Sequence, residues 1–265
     1  MNSRYEINRR LCLPNTTAPS ALLYGVLGGF LLTALLLTGA KSQLVSAYSP
    51  PAFFQGIDPA KVAAAIKGNA QSLKAFSYQQ RTQLQLKGET KKVTLNQMDY
   101  DGDGKLRKTL LSEQPTADSQ QSSGRGRGGR LKQRVVARKK GEFKEMMEGI
   151  ASLVKSYTEL PPERLQAVLK QAAFSQGQGD MQGAIQVKML NVIQRGDSLT
   201  LWIDQAAMLF RRVAIATNYE GNPVTATANY ATLPTGQVYM AKSILNYPKK
   251  AVVVEIDNLN YQQSK

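Results

Sequence analysis

Between residues 77 and 112, polar and apolar side chains alternate with a period of two. In SYQQRTQLQLKG, Tyr78, Thr82, Leu84 and Leu86 fall on one face; in TKKVTLNQMDYD, Val93 and Leu95 do so; KLRKTLLS (105–112) continues the pattern. Gly88 and the run Asp101-Gly102-Asp103-Gly104 lie between these stretches, and such residues make tight hairpin turns. Three strands in a meander are predicted. Alternation resumes at IQVKMLNVI (185–193) and runs through SLTLWID (198–204), LFRRVAIATNY (209–219), PVTATANYATL (223–233), QVYMAKSILNY (237–247) and AVVVEIDNL (251–259). Turn residues punctuate it at Arg195-Gly196-Asp197, Glu220-Gly221-Asn222, Pro234-Thr235-Gly236 and Pro248-Lys249-Lys250. Turns every 8–12 positions are the pattern of a hairpin-connected antiparallel sheet. The whole comes to about eight strands.

Three stretches follow the helical period instead. Residues 58–76 place Val62, Ile66, Leu73 and Phe76 on one side, with Asp58 as cap and Pro59 in the first turn. Residues 142–157 carry an unbroken stripe of Phe143, Met146, Met147, Ile150, Leu153, Val154 and Tyr157. PPERLQAVLKQAAF (161–174) is the third, with Leu165, Val168, Leu169 and Ala172 as its stripe. Residues 114–130, QPTADSQQSSGRGRGGR, offer nothing apolar to bury and read as a mobile loop.

The architecture this predicts is α+β: an antiparallel unclosed β-barrel, or half-barrel, with helices covering its concave face. A long antiparallel sheet curls, and its apolar inner face needs a cover that only the middle helices supply. The inner set includes Leu199, Leu201 and Ile203, then Val213 and Ile215, then Val238, Met240 and Ile244, then Val252, Val254 and Ile256. Two readings of that interior stay open. It is a filled core, or it is an apolar cavity with an adaptable methionine lining.

The N-terminal region changes the picture of where this domain works. Residues 21–39, ALLYGVLGGFLLTALLLTG, carry no charge. As a helix the run reaches about 28 Å, close to the thickness of a bilayer core. Arg4, Arg9 and Arg10 precede it and Lys41 follows it, which puts the N-terminus inside and the rest of the chain outside the inner membrane. Residues 1–40 are thus a signal peptide or membrane anchor, 41–57 a linker and 58–265 the half-barrel domain, with a flexible basic loop at 114–140. The expected address is the periplasm, soluble after cleavage or anchored by 21–39.

Composition removes whole classes of chemistry. The chain has no histidine, and Cys12 is its single cysteine. A Ser-His-Asp triad, a Cys-His pair and the usual zinc sites are excluded. No enzyme and no cofactor is expected. Asp99, Asp101, Asp103 and Gly104 match half of a calcium loop, but Leu110 stands where the bidentate acid belongs, so a hairpin turn is the reading.

The net charge of +15 is concentrated. Residues 125–144 hold nine Lys or Arg against Glu142 alone. Arg125, Arg127, Arg130, Lys132, Arg134, Arg138, Lys139 and Lys140 are the candidates for contact with an anionic membrane surface or acidic partner. Nucleic acid is not expected, since no aromatic interleaves with them and the domain is exported.

Three stretches resemble the lipoprotein-localisation carrier superfamily: Gln83-Leu84-Gln85-Leu86-Lys87-Gly88, then Tyr100-Asp101-Gly102-Asp103-Gly104-Lys105, and LWIDQAAMLFRRVAIAT (201–217). The similarity covers roughly 58–260 and rests on strand order and turn positions. It includes LolA-like periplasmic carriers and related lipoprotein-sensing regulators. The resemblance implies a half-barrel whose hydrophobic cavity accepts a lipid or lipoprotein acyl chain. The residues expected to line it are Leu84, Leu86, Met189, Leu201, Ile203, Val213, Ile215, Val238 and Met240, with Met146, Met147 and Ile150 from a helical lid. The rival expectation is a membrane-tethered regulatory or interaction module with a filled core, acting through its surface and basic loop.

Overall fold

The computed structural model describes residues 58–115 and 129–264. The hydrophobic run 21–39, the linker and most of the low-complexity segment lie outside the described residues. Among the described residues no helix is long and apolar enough to cross a membrane.

Helix α1 spans Pro59–Leu73 and starts where the sequence asks it to, with the Asp58 carboxylate accepting a hydrogen bond from the Ala60 N–H at 2.9 Å. Strands β1 (Phe76–Leu86), β2 (Glu89–Tyr100) and β3 (Leu106–Pro115) follow as a meander. Lys87 and Gly88 both take positive φ, the two-residue turn that matches strand twist. At the next turn the Asp101 carboxylate accepts from the N–H groups of Asp103 and Lys105, at 3.0 and 2.9 Å, so it serves the hairpin. After helices α2 (Gly129–Ser156) and α3 (Pro162–Leu169) come β4 (Ala173–Gln176), β5 (Ala184–Leu190), β6 (Ser198–Asp204), β7 (Phe210–Tyr219), β8 (Asn222–Thr232), β9 (Val238–Tyr247) and β10 (Val252–Gln263).

The ten strands of the described residues form one sheet in the order β3-β2-β1-β10-β9-β8-β7-β6-β5-β4. Each pairing is antiparallel. The only neighbours distant in sequence are β1 and β10, and β3 and β4 are the two free edges, so the sheet is open. The chain between those edges includes α2 and α3 among its described residues, and the packed half of α2 lies over the sheet. Nine inter-strand gaps of ~4.8 Å come to about 43 Å, and the 28 residues of α2 span about 42 Å. The helix is as long as the sheet is wide.

One main core results. Met147, Ile150 and Val154 of α2 and Val62 and Ile66 of α1 are packed with Met189, Leu199, Ile215, Leu245 and Ile256 of the sheet. A smaller cluster of Leu73, Phe76 and Leu233 lies apart from it, with Tyr239 and Tyr261 packed on it.

Four expectations need correction. The sheet has ten strands, not about eight. The alternating stretches number nine, and the tenth strand is β4, where Ala173 and Phe174 leave α3 and pair with Lys188 and Val187; their apolarity alone suits either period. Phe76 belongs to β1 and not to the first helix. Helix α2 begins at Gly129, well before residue 142, so the second half of the basic stretch is helical and not loop. Lys, Arg and Gln are good helix formers, but an exposed helical turn has no apolar stripe to reveal it. Finally, Ile244 does not share a face with Met240. The register shifts between Asn229 and Tyr230, after which Ile244 pairs with Thr227 and Leu245 with Ala226. A bulge of one residue exchanges the faces.

Candidate functional site

Strand register carries side chains across the helix-covered face in lateral rows. One row runs Ile215–Ala226–Leu245–Val254–Leu84. The next runs Val213–Ala228–Ser243–Ile256–Thr82. The middle of both rows is built from small residues, Ala226, Ala228 and Ser243, while Val154 of α2 stands opposite. The result is a crevice between α2 and β7–β10, lined by Val154, Val213, Ile215, Ala226, Ala228, Ser243, Leu245, Val254 and Ile256, with Thr227 and Ile244 at its margin. Its unfilled space is about 390 Å³ with the open mouth included, and the space open to the centre of a water-sized group is about 20 Å³. That is room for about one water-sized group. In this state the half of α2 from Phe143 onward is seated closely on the sheet.

The seat is fastened at one end. Asp197 is buried and accepts hydrogen bonds from the N–H groups of Val192 (2.5 Å), Ile193 (2.9 Å) and Gln194 (2.8 Å) and from the Tyr157 hydroxyl (2.5 Å). Tyr157 also meets the Thr217 hydroxyl at 2.7 Å. Burial, then the hydrogen bond to Asp197, push the Tyr157 phenol well above its ordinary pKa. Arg164 of α3 donates to the carbonyls of Val192 and Asn191, both at 2.6 Å. The C-terminal end of α2 is thereby tied to the β5–β6 loop and to β7. At Gly149 the helix passes so close to β7 that a Cβ would run into the Tyr219 hydroxyl. Toward the other end, Arg134, Arg138, Lys139 and Lys140 are exposed, and Arg138 meets Glu142 at 3.2 Å. Gly141 stands between the two halves with open space around it.

The residues expected to line a cavity divide as follows. Val213 and Ile215 line the crevice. Met189 and Ile203 are buried in the main core, as are Met147 and Ile150 of the lid, with Leu84, Leu86, Leu201 and Met146 packed against it. Met240 is buried outside that core. Val238 is half-buried and held by Asn69 of α1, which accepts from its N–H at 2.7 Å and donates to its carbonyl at 2.6 Å. Of the basic residues, Arg130 and Lys132 lie in α2 with the four just named, while Arg125 and Arg127 fall outside the described residues. The sequence reading missed Ala226, Ala228 and Ser243. Their signal is present: alanines alternate along TATANYA on a strand whose neighbours carry Val and Ile at matching positions.

The carboxylate at the end of β6 is also engaged in structure. Asp204 Oδ1 accepts from the N–H groups of Ala206 and Ala207, and its Oδ2 accepts from both Nε and Nη2 of Arg211, at 2.8 and 2.5 Å. Burial alone would raise its carboxyl, but those backbone bonds and Arg211 outweigh it and hold the pKa below the ordinary value.

The protein is thus an open, ten-stranded antiparallel sheet with a helical cover over one face. Solved structures to which it is similar include a DUF1329 family protein from Desulfovibrio piger, at 10% identity and TM-score 0.37, covering 78% of this chain and 92% of that one. A LolA superfamily protein from Nitrosomonas europaea is another, at 10% identity and TM-score 0.31, with 74% and 93% covered. A third is described as an outer membrane lipoprotein-sorting protein domain from Vibrio parahaemolyticus, at 11% identity and TM-score 0.29, with 74% and 90% covered. At these identities and scores the likeness carries no function across. No protein-family model and no curated protein matches the chain.

Proposed function

We propose that this is a non-enzymatic binding protein of the cell envelope that accommodates a lipid or lipoprotein acyl chain between α2 and the sheet. The observation that carries the reading is the crevice under Val154, where three small residues leave the apolar face of the sheet incompletely covered. Hydrocarbon is the chemistry such a wall recognises, since burying apolar surface is its only large source of affinity. The closed state has no room for a long chain, so binding requires α2 to lift. The Tyr157 latch holds the half of α2 that carries Val154, so it must release for the crevice to open, while the half before Gly141 stays exposed. Handing acylated cargo onward, as in lipoprotein sorting or transport, is the activity to which the reading points. The charge-free run 21–39 supports an address outside the inner membrane, and the exposed cations of α2 support docking of that half on anionic head groups.

The test is native mass spectrometry of residues 58–265 mixed with a long-chain monoacylglycerol. A one-to-one complex that is lost when residues under α2 are enlarged supports the reading. No adduct, from a protein that folds and melts cooperatively, rejects it in favour of a filled-core interaction module, the reading that the small enclosed volume favours.

A further inference from the structure

The rows that begin in the apolar crevice end in a polar patch. On β1 and β2, Gln80, Thr82, Thr94 and Asn96 are 0%, 1%, 2% and 3% exposed, as buried as the aliphatic core. Register pairs Gln80 with Asn96 and Thr82 with Thr94, so the four make a square on one face. It is the face of the crevice, because Thr82 pairs on its other side with Ile256, a crevice wall. Asn258, also buried, adjoins the square: it accepts from Gln80 Nε2 at 3.1 Å and donates to the Met240 carbonyl at 2.8 Å.

These bonds leave a remainder. Gln80 Oε1, Asn96 Nδ2 and the hydroxyls of Thr82 and Thr94 are buried with no hydrogen-bond partner, and so is the hydroxyl of Tyr230, two residues along β8 from Ala228. Burying polar atoms unpaired is unfavourable, and native interiors avoid it. Four of these unpaired atoms cluster on β1 and β2 at one end of an apolar crevice: an amide donor, an amide acceptor and two hydroxyls. The four side chains of the square are uncharged; Lys92, two residues from Thr94 on β2, is engaged by Glu113 at 2.9 Å, and Lys108 of β3, which pairs with Met98, is a second, partly buried cation beside them.

We propose that this square is the head-group end of the ligand site, built for an uncharged group that offers hydroxyl, ester or amide atoms. The hydrocarbon tail then runs along the rows into the crevice under Val154. This rests on the reading that the crevice takes a hydrocarbon chain, and it adds that the ligand is a neutral amphiphile oriented with its polar end over β1 and β2.

The experiment compares the wild type with Thr82→Val/Thr94→Val and, separately, Asn96→Leu. Binding of the neutral dye 1-aminoanthracene is followed by fluorescence, and 1-monooleoylglycerol and oleate are titrated as competitors. The expected result is dye binding alike in all three proteins, with monooleoylglycerol affinity at least tenfold weaker in both variants. The wild type is expected to prefer monooleoylglycerol to oleate. The valine pair should melt no lower than the wild type, because near-isosteric apolar groups replace unpaired hydroxyls. Unchanged monooleoylglycerol affinity in both variants overturns the head-group assignment and leaves the crevice reading intact. A tenfold preference for oleate overturns the neutral head group. Absence of dye and lipid binding in the wild type removes the crevice reading, and this assignment with it.

Discussion

Replacing Ala228 by valine tests the crevice where it is narrowest in chemistry and widest in space. Ala228 is 5% exposed on β8, with Val213 and Ser243 as its cross-strand neighbours. Valine adds two methyl groups and suits a strand. Each methyl buried without strain contributes about 0.8 kcal/mol. The cavity of about 20 Å³ accepts roughly one such group. The second must press on Val154 or on its own neighbours. The expected net change in unfolding free energy is between zero and about +1 kcal/mol. Urea denaturation measures it, and affinity for a long-chain monoacylglycerol measured alongside should fall at least about tenfold, or about 1.4 kcal/mol. A well-packed site would instead lose about 1–3 kcal/mol. A loss above about 2 kcal/mol, with lipid affinity unaffected, would refute the reasoning.

Other consequences concern the latch, the cover and the charges. Tyr157→Phe removes the hydroxyl that meets Asp197 and Thr217, and stability should fall by about 1.5–3 kcal/mol; an unchanged urea midpoint would show that the helix end is not held there. Gly149→Ala gains about 1 kcal/mol of helix propensity but forces the Tyr219 ring aside, so the melting temperature should drop; a rise would contradict the close approach. Lys108 has its pKa lowered from 10.5 to about 8, first by burial and then by the charge of Lys92. The unfolded chain therefore holds the extra proton between those values, and stability should climb as pH rises from about 8 towards 10.5. That climb should flatten in Lys108→Met, and a profile identical in both proteins would count against it. Neutralising Arg134, Arg138, Lys139 and Lys140 together should abolish salt-sensitive binding to anionic vesicles, as read by co-sedimentation, without altering the melt.

The sequence exposed what periodicity encodes. Strands β1 to β3 and β5 to β10 were legible because apolar and polar side chains alternate along them and turn residues mark most of their ends. The packed half of α2 was legible because Phe143 to Tyr157 repeat at helical spacing. Its basic half was not, since a solvated helix needs no apolar face. Ile244 was misplaced because a bulge changes the face without changing the composition of the strand. The site was harder to see. Bulky residues such as Met189 and Met240 attract attention as a lining, yet they fill space. The opening is made by what is small, Ala226, Ala228 and Ser243, and smallness matters only when strand register stacks it in adjacent rows. The polar square was invisible for the same reason: Thr82 and Thr94 become neighbours only through the β1–β2 pairing.

The central claim is that hydrocarbon enters between α2 and the sheet. The most direct measurement is an isotope-filtered NMR experiment on methyl-labelled protein with an unlabelled monoacylglycerol. Contacts from the lipid chain to the methyl groups of Val154, Val213, Ile215, Leu245 and Ile256 are the predicted result. A bound lipid whose chain contacts none of these, or reaches only the exposed Leu110 and Leu111 at the sheet edge, would contradict the account.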